Sequence, residues 1–354
     1  MSARRAANAL SNAEIAELLA REAEASSGIL VRALRRAARY AFFWPDNVVD
    51  LVAQNRSLTE LRAVGPFIAK RIQHWIESPA PPPKPPPLRR DFFALAEARQ
   101  VLAGSPTWAK SLRGDLQMHT RWSDGSGTVA EMAHTARQRG YEYIAITDHS
   151  KGLKIASGID ELALAKQQRE IKSLRAGAGV TVLASIELNL NPRGEGDMDP
   201  RALAKLDFVL GSFHSALRIK DDQTDRYLAA LRNPHIQILG HPRGRIYNYR
   251  LGLKADWSRV FGEAARLHKA VEIDCYPDRQ DLNLSQLKLA RREGCRISLG
   301  TDAHHTWQLE FIDLGLAAAL TAKIPPERIV NFMSLSQLTG WVARVRRRGR
   351  ARRR

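Results

Sequence analysis

Short apolar runs that stop abruptly at histidine or an acid recur along the chain. The most telling is 297–304, I-S-L-G-T-D-A-H, where β-type residues lead through Gly300 and Thr301 into Asp302 and His304. In an extended strand successive side chains alternate faces, which predicts that residues 302 and 304 point the same way. On its own this segment reads equally as a metal-binding strand end or as a strand followed by a hydrogen-bonded polar turn. The pattern repeats in 115–125 (D-L-Q-M-H-T-R-W-S-D-G, ending at His119 with Asp124 beyond), 143–150 (Asp148, His149), 181–188 (Glu187), 208–215 (His214) and 236–242 (His241). A seventh run, 270–276, ends in Asp274 without a histidine.

Between these runs lie segments of helical periodicity: 128–139, 159–174, 200–205, 223–232, 257–267, 284–293 and 307–320. Regular alternation predicts parallel strands joined by helical crossovers. The predicted fold class is α/β: a distorted seven-stranded (β/α)7 barrel over 113–342 with its chemistry at the strands' carboxyl ends.

The first 78 residues have no strand pattern. Apolar spacing predicts helices from about residue 12 and over 30–43, and 58–72 (L-T-E-L-R-A-V-G-P-F-I-A-K-R-I) breaks one helix at Gly65-Pro66 and starts another, as proline in a first helical turn allows. Seven of the nine residues in 79–87 are proline, which predicts a semi-rigid polyproline spacer. A connecting helix over 91–102 completes a linker region, 79–112. The end, 343–354, is so arginine-rich that it reads as a disordered tail.

Composition adds a bias in charge. The formal net charge is +18, and removing the eight arginines of 344–354 still leaves +10 (18 − 8), so the folded part is basic and favours a polyanionic partner. Cys275 and Cys295 have no spacing that suggests zinc binding or a disulfide framework, and no apolar run approaches membrane-spanning length. These features predict a cytoplasmic protein with no membrane partner.

The segment 58–72 resembles a helix-hairpin-helix, the nucleic-acid-binding turn in which amides at the second helix's start hold a backbone phosphate. The resemblance implies DNA contacts at Gly65, Lys70 and Arg71. The motif's earlier glycine is Ala63 here, and an ordinary corner between two helices is the alternative. The barrel segments Q-M-H-T-x-x-S-D-G, T-D-H-S, S-F-H-S, G-H-P and G-T-D-A-H, with the lone Glu187, resemble the PHP (polymerase and histidinol phosphatase) superfamily in family order. G-H-P-R-G-R from Gly240, P-D-R-Q-D-L-N from Pro277 and T-D-H-S-K-G-L from Thr147 are most similar to the PHP domain of bacterial family X DNA polymerases. The polymerase palm has no counterpart, because spacer and one helix fill its place, so polymerisation is not expected.

The resemblance implies up to three divalent metals (Mn²⁺ or Zn²⁺, possibly Fe²⁺ as a third kind) held by His119, Asp124, His149, Glu187, His214, His241, Asp302 and His304. Asp302, Glu187 and His149 are the residues on which catalysis is expected to depend. Gln117 replaces a family histidine, and an amide oxygen is the weaker ligand. Clustered imidazoles and carboxylates suit such metals, which lower the pKa of bound water and clamp the oxygens of an in-line displacement at phosphorus. Arg243 and Arg245 follow His241 and are candidates for holding a substrate phosphate, with a role as surface charge the alternative. Asp148 is placed to orient a neighbour. The first functional expectation is a metal-dependent phosphoesterase acting on DNA ends or single strands, a 3′-to-5′ exonuclease serving repair. A small-molecule phosphomonoesterase similar to histidinol phosphatase, and a non-catalytic DNA-binding scaffold, are the alternatives.

Overall fold

The computed structural model describes residues 9–78, 81–174 and 179–351. The first eight residues, the first two of the proline spacer and the last three of the arginine tail therefore lie outside the described residues. Helices α1 (Asn12–Ala25), α2 (Gly28–Tyr40), α3 (Val48–Ala53) and α4 (Pro66–Glu77) form the front of the chain. Ser11 caps α1 through a reciprocal pair: its hydroxyl accepts from the Glu14 amide while the Glu14 carboxylate accepts from the Ser11 amide. The corner before α4 holds Ala63 at φ +66°, the left-handed region that a glycine would enter without strain. Gly65 then caps α4, with Pro66 at its first position.

The strands are β1 (Gly114–Asp115), β2 (Tyr143–Ile146), β3 (Thr181–Ala184), β4 (Glu187–Asn189), β5 (Leu210–Ser212), β6 (Ile238–Leu239), β7 (Ala270–Asp274) and β8 (Arg296–Gly300). All pairings are parallel, in a three-stranded sheet β1-β2-β3 and a five-stranded sheet β4-β5-β6-β7-β8. The seven apolar runs are all present, the third being split at Ser185-Ile186 into β3 and β4. Backbone bonds tie the two sheets at both borders. Glu187 N–H donates to Thr147 O at 3.2 Å on one side, and Leu116 N–H donates to Leu299 O at 3.3 Å on the other. Between strands the helices fall where periodicity put them, from Val129–Gln138 to Ile312–Thr321.

Two departures from expectation have clear causes. The reading of 343–354 as disordered is corrected: an α-helix, Leu335–Ala351, runs through most of that stretch. Leu338, Trp341, Val342 and Val345 recur at helical spacing and are buried against Leu116, Tyr143, Leu183, Phe208, Leu210 and Ile238, so this helix plugs the amino ends of the strands. Trp341 Nε1–H donates to His268 O at 2.8 Å and fixes its depth. The second departure is a continuous hydrophobic core that runs from Leu10 in front to Ile329 near the end. Phe42 packs on Tyr247 (ring centroids 4.7 Å) and Phe43 on Phe311 (5.4 Å), so α2 abuts loops that follow the strands. Arg89 adds a polar clasp, donating to both Glu17 oxygens at 2.8 and 3.0 Å and to Asn248 Oδ1 at 3.1 Å. No helix among the described residues is long and apolar enough to cross a membrane.

Candidate metal centre

The eight side chains expected at the metal centre converge at the carboxyl ends of the strands. His119 follows β1 and is held by its N–H to Ala303 O at 2.8 Å. His149, His214 and His241 follow β2, β5 and β6, and Glu187 opens β4. Asp302 and His304 follow β8, but not by strand alternation. The strand ends at Gly300, and Asp302 turns through φ +52° before His304. Gly300 is required there, since a Cβ would lie 2.3 Å from Glu272 Oε1 and 2.6 Å from Gln117 Cβ.

Glu187 is the hub. Its Oε1 meets His214 Nε2 at 3.2 Å and His241 Nε2 at 2.5 Å, while its Oε2 meets His149 Nδ1 at 2.9 Å and His119 Nε2 at 3.5 Å. His119 Nε2 also lies 2.9 Å from Asp302 Oδ1. On the outer side Asp124 Oδ1 faces His304 Nε2 at 3.3 Å and His149 Nε2 at 3.6 Å. Three groups able to hold a cation result: His119, Asp124, His149 and His304; His149, Glu187 and His214; and His119, Glu187 and Asp302. Two imidazoles are oriented from behind, His214 by Nδ1 on Asn189 Oδ1 (3.1 Å) and His304 by Nδ1 on the Asp302 carbonyl (2.8 Å).

The electrostatics match a cation site. Burial pushes the Glu187 carboxyl up, but His214, His149 and His241 overcome this and hold it well below the usual carboxylate range. Burial lowers His241, yet Glu187 raises it to about 10; likewise burial opposes, and Asp124 with Asp302 drives, a rise of His304 to about 9. Although close to one another, buried His149 Nδ1, Glu187 Oε2 and His214 Nε2, and His119 Nδ1 with them, make no aligned hydrogen bond, a costly state for polar atoms. Bound divalent cations satisfy such a set, and mixed imidazole and carboxylate donors suit Mn²⁺ and Zn²⁺. The centre accommodates up to three of them.

Gln117, in the position of a missing imidazole, faces elsewhere. Its amide end lies 2.7 and 2.9 Å from Glu272 Oε1 and Oε2, where the amide nitrogen, once turned toward the carboxylate, donates to both. Asp148 has the supporting place expected of it. It accepts from Thr120 N–H (2.7 Å), Thr120 Oγ1 (2.6 Å), Ser123 Oγ (2.5 Å) and Gln167 Nε2 (2.6 Å), and so braces the loop between His119 and Asp124.

A cavity of about 220 Å³ opens over the ligands and is lined by Arg245, Arg250, Arg279, Asp274 and Asp281 among others. Arg243 lies outside that lining, its guanidinium donating to Gln286 Oε1 (3.2 Å) and Leu251 O (2.8 Å). Arg245 does line the cavity; Nη2–H donates to Arg90 O (3.0 Å) while Nη1 has no partner. The sequence reading missed Arg250 and Arg279. Arg279 reaches the Asp302 carboxylate and comes within 3.8 Å of Asp274. Its place in P-D-R-Q-D-L-N, just past β7, was the available signal. Of the candidate DNA contacts, Gly65 and Lys70 are exposed, whereas Arg71 is paired with Glu22 at 2.9 Å.

A protein-family model described as PHP domain matches residues 115–276. The DNA polymerase/3′-5′ exonuclease PolX of Bacillus subtilis is 34% identical over 235 residues, 66% of this chain but 41% of that protein. The chain thus spans less than half of that relative. A probable phosphatase of Photobacterium profundum is 33% identical over 201 residues, 54% of this chain and 77% of that protein. The solved histidinol phosphate phosphatase of Lactococcus lactis aligns with 59% of this chain and 93% of its own at 17% identity, TM-score 0.40.

Proposed function

Since the chain belongs to the PHP-domain family and is a metal-dependent phosphoesterase, we propose that its substrates are phosphate monoesters of small alcohols. The observation that carries this reading is the cavity of about 220 Å³ in which metal-ligand side chains and arginines meet. That volume suits a phosphoryl group with a small leaving alcohol. The phosphatase relatives support it too, since the match spans 77% of one such protein.

When bound, the divalent cations supply Lewis acidity and a water of lowered pKa for in-line displacement at phosphorus. Glu187 lies against four of the imidazoles, and Asp124 spans His149 and His304. Arg245 Nη1–H is free to donate to a phosphate oxygen, and Arg250 and Arg279 add positive charge at the cavity wall. Asp274, buried beside Asp302, lines the cavity wall and lies 3.8 Å from the Arg279 guanidinium, which helps hold that arginine at the site.

A second reading, 3′-to-5′ exonuclease action on DNA ends, is favoured by one observation: the α4 corner keeps a hairpin with exposed Gly65 and Lys70, and the similarity to PolX accompanies it. One experiment separates the two. Manganese-loaded protein is given a generic aryl phosphate, a panel of small phosphate monoesters, and 5′-labelled single-stranded DNA. Phosphate release from the small esters, lost in Asp302→Ala, is expected. A one-nucleotide ladder on DNA without release from any small ester would overturn the first reading in favour of the second.

A further inference from the structure

Arg344, Arg347 and Arg348, near the chain's end, are fixed to the fold. Because Trp341, Val342 and Val345 are buried beneath the strands' amino ends, the helix Leu335–Ala351 holds Arg344, Arg347 and Arg348 on its exposed side. Around them lie Arg296 at the start of β8, Arg328, and the imidazole of His268. The proximity is electrostatically visible: after burial, Arg348, Arg296 and Arg344 lower His268, and Arg344 and Arg328 lower Arg296. Arg344, Arg347 and Arg348 make no ion pair among the described residues, whereas Arg232 and Arg266 nearby share Glu263. A pocket of about 360 Å³ beside the helix is lined by Arg232, Arg266, Lys269 and Arg348, with Leu231, Pro234 and Val345 as its apolar floor.

Like charges held together by a rigid scaffold repel one another, and a polyanion laid across them removes that cost while releasing its own counterions. We propose that this face, at the opposite end of the strands from the metal cavity, binds the phosphate backbone of nucleic acid, with Arg344 and Arg348 each neutralising a phosphate. Guanidinium is the cation suited to bidentate phosphate contacts, and the cluster on the helix is arginine throughout. The large exposed apolar side chains, such as Ile29, Phe67, Ile155 and Tyr249, all belong to other elements, so the face lacks the apolar insertions of a membrane-binding helix. The inference does not depend on the phosphatase reading.

The test is fluorescence anisotropy of a labelled 20-base-pair duplex with the full chain between 50 and 200 mM salt, about the range over which backbone contacts change affinity most. Arg344→Glu/Arg348→Glu is expected to weaken binding about tenfold or more and to flatten the log–log salt slope by about two, one unit per phosphate. Lys166→Glu/Arg169→Glu, an equal charge change on the exposed side of the helix Glu161–Leu174, should leave both nearly unchanged. Urea unfolding midpoints of both variants equal to that of the parent report that the fold is intact. Equal loss in both pairs, no loss in either, or binding to phosphatidylserine vesicles in place of the duplex would overturn the proposal.

Discussion

Replacing Arg89 by methionine removes the clasp between the front helices and the loop after β6. Its guanidinium is 4% exposed and is held by Glu17 through Nε (2.8 Å) and Nη2 (3.0 Å), by Glu24 through Nη1 (2.6 Å) and by Asn248. Glu17 is itself 3% exposed, so the substitution strands a buried carboxylate. Breaking a buried pair from one side costs about 3–5 kcal/mol. Arg21 still reaches Glu17 at 2.8 Å from a half-exposed position, which places the expectation near the lower end, about 3 kcal/mol. Urea unfolding of parent and variant should show this as a lowered midpoint at unchanged slope. The double variant Arg89→Met/Glu17→Gln should recover part of the loss, because the unpaired charge goes with it. A single-variant loss under about 1 kcal/mol, the value of an exposed pair, or a double variant no better than the single one, would refute the reasoning.

Two further expectations concern the metal centre. Gln117→His exchanges an amide that lies against Glu272 for an imidazole at the position where the family resemblance has a ligand; metal content at limiting manganese, measured by mass spectrometry, should rise, with at least the about tenfold gain in affinity that even outer-sphere partners are worth. Unchanged content would show that the position does not face a cation. Metal uptake should also strengthen with pH, because the folded protein without metal keeps His241 protonated to about 10 and His304 to about 9, and each must lose its proton to coordinate. The two imidazoles face different parts of the centre, His304 toward Asp124 and His241 toward Glu187, so the affinity for a cation at either place should climb up to about tenfold per unit from pH 7 to 9, one proton displaced per cation. A flat titration across that window would contradict the geometry around Glu187 and Asp124.

The convergence of the candidate ligands was legible because all but Asp124 stand at or just past the end of an apolar run, and a parallel sheet sends all such ends to one rim. Glu187 was readable for the same reason, although its strand breaks just before it. The face of Asp302 was right for the wrong cause, since a left-handed turn rather than strand alternation aims it. Arginine roles were not legible. Whether Arg243, Arg245 or Arg279 faces a cavity or a carbonyl depends on partners brought in by the fold, and Arg71 is neutralised by Glu22 from a distant helix turn. The helix Leu335–Ala351 was missed although its stripe Leu338, Trp341, Val342, Val345 has helical spacing, because charge density was allowed to outweigh periodicity. In the front corner the absent glycine did not abolish the turn; Ala63 takes the left-handed conformation itself.

The aromatic seam of Phe42, Phe43, Phe92, Tyr247, Tyr276 and Phe311 packs the front of the chain against the loops that follow the strands. An α/β part excised at residue 113 would turn Tyr247, Tyr276 and Phe311 toward water and loosen the very loops that carry Arg245, Arg250 and Arg279. The helices in front thus act on the cavity at one remove, as the backing against which its arginine-bearing loops are pressed.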